Sequence, residues 1–69
     1  MSEYMKKLEA AKKLAVSIIE EIREDNHDPA NVSSYEKGRL YAAAEIYFEL
    51  TGEVNPHGDY VELVVAHDV

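Results

Sequence analysis

Three imidazoles stand beside carboxylates in this sequence: His27 next to Asp28, His57 two residues before Asp59, and His67 next to Asp68. Neutral imidazole with carboxylate can ligate zinc or another divalent ion, and the same pair can move a proton in acid–base chemistry. The spacings match no finger-like or helical ligand set, however, and each pair falls in a turn-forming stretch or at the chain end, where polar residues have local uses. No metal and no cofactor is assigned to them. Other chemistries lack their parts. The chain has no cysteine, hence no thiolate nucleophile, thiolate metal site or disulfide. Gly38, Gly52 and Gly58 stand apart from one another and form no phosphate loop. Ser33 and Ser34 suit helix caps, and Ser17 has no nucleophile context. Glu20 and Glu24 are paired carboxylates, but on an exposed helix face with no cleft to raise a pKa. The sequence is read as that of a non-enzyme.

What remains is charge. The 69 residues carry 14 Asp+Glu against 7 Lys+Arg, a net charge of −7. The balance is +2 over residues 1–19, −4 over 20–28, +1 over 29–44 and −6 over 45–69. Glu20, Glu21, Glu24, Asp25 and Asp28 gather where one helix should end, and Glu53, Asp59 and Glu62 form a second acidic group with no cation beside them in sequence. Acids at a helix C-terminus oppose its macrodipole by about 0.3–1 kcal/mol each at low salt, so local stability did not select them. Such a surface repels DNA and RNA and steers toward basic proteins, many of which bind nucleic acid themselves. Two plainer explanations compete. An acidic surface keeps a small domain from associating. In an antiparallel hairpin, moreover, Lys6, Lys7, Lys12 and Lys13 would approach Glu45 and Glu49, while Lys37 and Arg39 would approach Glu20, Glu21 and Glu24.

The elements that must position these residues are legible from periodicity. Tyr4, Leu8, Ala11, Ala15, Ile18 and Ile22, widened by Leu14 and Ile19, predict an amphipathic helix over 2–25, with Ser2 as its cap and Asn26-His27-Asp28-Pro29 as its stop. Ser33 and Glu36 form a capping box that opens a second helix over 33–51, with Leu40, Ala43, Tyr47 and Leu50 as its main stripe and Gly52 at the left-handed cap. A short loop makes the two an antiparallel hairpin. Tyr41, Ala44 and Phe48 form a second stripe on helix two, which something besides helix one should cover. After the turn Asn55-Pro56-His57-Gly58, the Val-rich segment 59–67 favours a β-strand. A short third helix competes, because Asp59 and Glu62 have capping spacing and Tyr60, Leu63, Val64 and His67 keep helical steps.

The expected fold is thus a single small α+β domain over 1–69, an antiparallel helical hairpin followed by a C-terminal β-strand, with a three-helix bundle as the alternative. A lone strand leaves its backbone groups unpaired. Pairing with the same strand of a second copy would satisfy them and cover the aromatic stripe. The expected homodimer therefore uses Tyr41, Phe48, Val61, Leu63 and Val65. No apolar run approaches the ~20 residues of a membrane span, and a cytoplasmic location is expected.

Glu20-Glu21-Ile22-Arg23-Glu24-Asp25 closing one helix, followed by Tyr35-Glu36-Lys37-Gly38-Arg39-Leu40-Tyr41-Ala42-Ala43-Ala44-Glu45 opening the next, in a very short acidic chain without cysteine, resembles the small early or host-takeover proteins of bacteriophages. Several of those are DNA mimics that cover the DNA-binding surface of a host protein. The resemblance is one of style and carries over no individual residue. It implies an inhibitory binding module in the host cytoplasm, and the charge pattern names Glu20, Glu21, Glu24, Asp25, Asp28, Glu53, Asp59 and Glu62 as the residues that would face a basic, nucleic-acid-binding partner. The alternative is a non-catalytic accessory homodimer whose working surface is apolar, around Tyr41 and Phe48.

Overall fold

The computed structural model describes residues 2–68. Its elements are α1 (Glu3–Asp25), a single 3-10 turn (Pro29–Asn31), α2 (Ser34–Thr51) and α3 (Gly58–His67). The α1 and α2 helices start and stop on the residues their sequence signals indicate. Ser2 Oγ accepts the Met5 N–H at 3.2 Å. At the head of α2, Ser33 and Glu36 complete the capping box in both directions, Ser33 Oγ accepting the Glu36 N–H and Glu36 Oε1 accepting the Ser33 N–H. Gly52 ends α2 at φ 72°, a left-handed conformation that costs glycine little, and its N–H donates to Phe48 O at 2.7 Å.

The hairpin core is Ala15, Ile19 and Ile22 of α1 against Leu40, Ala43 and Tyr47 of α2, with Val32 closing the loop end. The buried stripe of α1 centres on Ile19, so Leu14, Ile18 and Tyr4 lie at its margin or outside it. On α2, Leu50 and Ala44 are half-buried and Ile46 is exposed.

The C-terminal segment is a helix, and the fold is all-α. No strand occurs among the described residues, so the α+β expectation gives way to its three-helix alternative. A helix satisfies its backbone within one segment, whereas a strand here would have needed a partner the chain does not supply. The preceding turn forms as expected, with the Gly58 N–H donating to Asn55 O at 3.1 Å, and it feeds directly into α3. Asp59 sits in the first turn of α3, two positions inside the observed cap His57, so it does not cap the helix; His57 makes no side-chain cap bond. Tyr60 and Val64, one helical turn apart, are the buried residues that seat α3 against the 3-10 turn and α2. Tyr41, Ala44 and Val61 pack around that seat, so the second stripe of α2 is covered largely by the chain's own α3.

The strand-mediated dimer loses its basis with the strand. Of its five residues, Tyr41 and Val61 are half-buried within the chain, while Phe48, Leu63 and Val65 are exposed on helices.

Candidate acidic recognition surface

The acids of the α1 C-terminus make no ion pair with lysine or arginine among the described residues. Cross-hairpin pairing of Lys6, Lys7, Lys12 and Lys13 with Glu45 and Glu49, or of Lys37 and Arg39 with Glu20, Glu21 and Glu24, is absent among the described residues. The ion pairs that form are Lys12 with Glu9 and Lys37 with Asp68, and His57 lies within hydrogen-bond distance of Glu20. Glu21, Glu24 and Asp25 are exposed and unpaired among the described residues.

Asp28 has a local use: its carboxylate caps the 3-10 turn by accepting the Ala30 N–H at 3.0 Å. Glu20 accepts from His57 Nε2 at 3.2 Å, and Arg23 Nη1 lies 2.9 Å from His57 Nδ1. A guanidinium only donates, so Nδ1 is the acceptor and the ring proton sits on Nε2, facing Glu20. The partner of His57 is thus Glu20 rather than Asp59. His27 and His67 are exposed, and no group of three or more His, Asp or Glu among the described residues could hold a metal ion.

The α1 and α3 ends frame two adjoining hollows that share Arg23, His27 and His57. Glu20 and Glu24 border one and Asp59 the other, so α3 adds one acid of the second group to the α1 acids. Glu62 lies on the other side of α3, beside Glu45 and Phe48. Glu53 is exposed in the α2–α3 loop. The eight acids therefore do not form one patch. Glu20, Glu24 and Asp59 converge on the Arg23–His57 cluster, Glu21 and Asp25 lie further round α1, and Glu53 and Glu62 lie elsewhere.

Asn26 holds the surface in place. Its side-chain amide donates to Ile22 O at 3.1 Å and to Glu36 Oε2 at 2.9 Å, while the Asn26 backbone carbonyl accepts the Tyr60 hydroxyl at 2.6 Å. Arg23 lies 5.7 Å above the Tyr60 ring, a cation–π distance. Burial raises the Tyr60 phenol above its usual range, helped by the nearby Glu36 carboxylate and opposed by Arg23. The backbone N–H of Ser33, joined by Asn26 and the Ser33 hydroxyl, lowers the Glu36 carboxyl. At the far end of α3, Asp68 accepts from Lys37 Nζ at 2.8 Å; this bond lowers the acid and raises the amine. The Arg23–His57–Glu20 cluster and the Asn26 junction have no signature in the sequence, since their members meet only when α3 docks across more than 30 residues of chain.

No family model matches the chain, and neither a curated protein nor a solved structure matches it. No described helix is long and apolar enough to cross a membrane.

Proposed function

We propose that this protein is a non-catalytic binding module that offers carboxylates to a basic, nucleic-acid-binding protein and competes there with the nucleic acid. One observation supports the reading above others: acids concentrated at a helix end that disfavours them make no ion pair with the chain's own lysines and arginines among the described residues. Glu24 and Asp59, with Glu20 held by His57, supply the negative rim. Glu21, Asp25 and Asp28 extend it, and Glu53 and Glu62 lie outside it.

The test uses Glu24→Lys with Asp59→Lys, because neither side chain makes a hydrogen bond or ion pair within the described fold. The immobilised wild-type chain is expected to capture lysate proteins that duplex DNA or raised salt releases, and the double variant, with unchanged helicity, to capture them at least tenfold less. Capture that is indifferent to both substitutions, or that duplex DNA does not reverse, overturns the reading.

A further inference from the structure

The face of the hairpin that α3 leaves uncovered carries a shallow apolar groove between Leu14 and Ile18 of α1 and Ala42 and Ile46 of α2. Leu14 is 62% exposed and Ile46 49%, although α1 and α2 place both within one step of the buried stripe. Along α1 this edge reads Lys7, Ala11, Leu14, Ile18, Glu21, Asp25, at steps of four and three. Along α2 it reads Arg39, Ala42, Ile46, Glu49, at steps of three and four. Spacing that averages 3.5 residues is the seam of a helical bundle, and one alanine on each seam, with Ala15 and Ala43 also lining the groove, permits close approach.

The charges at the ends of the seams identify the occupant. Each seam begins with a cation and ends with an anion, and the helices run antiparallel. Lys7 therefore lies at the same end of the face as Glu49, and Arg39 lies toward the end that holds Glu21 and Asp25. None of these five is ion-paired within the chain among the described residues. A surface of uniform sign would meet like charge on one diagonal of this face. A half-turn about an axis in the plane of the face sets every cation opposite an anion, whether that axis lies along the helices or across them.

The size also fits. From Lys7 to Asp25 the seam runs about 27 Å, and two helices of about 10 Å each give roughly 500 Å² per copy. Both copies together then bury about 1,000 Å², near the lower bound for a specific interface. The molecule exposes 4865 Å², whereas a compact chain of 7.8 kDa is expected to expose about 4,400 Å². We propose that a second copy of this chain docks on the α3-free face, completing a four-helix bundle around Leu14, Ile18 and Ile46. The two surfaces share Glu21 and Asp25 at their border, but Glu24 and Asp59, whose substitution tests the acidic recognition surface, take no part in this one.

Sedimentation equilibrium of the full chain from 5 to 200 µM tests it. Twice the chain mass is expected at the upper concentrations, and Leu14→Glu or Ile46→Glu is expected to weaken association at least tenfold with helicity retained. Arg39→Glu should weaken it less. Adding Glu49→Arg restores it if the two-fold axis lies across the helices, and adding Glu21→Arg restores it if the axis lies along them. If a groove variant loses helicity, wild-type NMR shifts on dilution supply the answer. Changes centred on Leu14, Ile18, Ala42 and Ile46 support the inference, and changes centred on Phe48, Leu63 and Val65 overturn it. A monomer at 200 µM, or a dimer indifferent to folded Leu14→Glu and Ile46→Glu variants, also overturns it.

Discussion

Gly38 shows how one residue separates two explanations that the sequence leaves open, a close helix crossing or a weak place in α2. A methyl group built at its Cα meets no atom within 4 Å, so no neighbour requires glycine there. Gly38→Ala should therefore stabilise the fold by about 0.5–1 kcal/mol, through helix propensity and a less flexible unfolded chain. For a domain of this size that corresponds to a rise of several degrees in Tm, measurable by circular dichroism. An unchanged or lower Tm would mean that the position is occupied in the native state by something outside the fold described here. Gly52 is the contrasting case. Its φ of 72° makes alanine strained there although space is free, and Gly52→Ala should destabilise the fold by about 1 kcal/mol or more.

At the scale of elements, the two long helices were legible because their boundaries are written in capping chemistry: Ser2, Ser33 with Glu36, and Gly52 act locally and need no tertiary partner. The third was not legible, because residues 58–67 carry β-branched side chains whose intrinsic preference points to a strand. The burial of Tyr60 and Val64 against elements distant in sequence decides the matter. The same limit applies to the acidic surface. Its charge could be read from the chain, but its division between separate faces depends on where α3 lands. The α2 capping box also sets a pH dependence. The folded pKa values of Glu36 and Asp68 lie below their usual 4.5 and 3.8, so their contributions are present above those values and are lost as pH falls through the folded ones. Lys37 is raised from 10.5, so its contribution is present below that value and disappears as pH rises through the folded one. Urea unfolding should thus show a plateau around neutrality and a decline below about pH 4.5. Ser33→Ala should cost about 1 kcal/mol at pH 7. Glu36→Gln should make the acid decline shallower, and a decline of equal steepness in that variant would remove Glu36 as its source.

At the scale of the whole molecule, the shape is elongated, 41 × 20 × 17 Å, with α3 covering one face of the hairpin near its loop and the opposite face open. The two long sides thus have different characters, one acidic around Arg23 and His57, the other apolar with alternating charge at its corners. A chain of this length has few side chains to spare for its interior, and nine apolar residues form the buried cluster among the described residues. Asn26 occupies the junction of this arrangement, joined by hydrogen bonds to the last turn of α1, the first turn of α2 and the seat of α3. Those three regions are therefore expected to open as a single cooperative unit. Native-state amide exchange should register them opening together, at one shared free energy, while the first turns of α1 exchange earlier and alone.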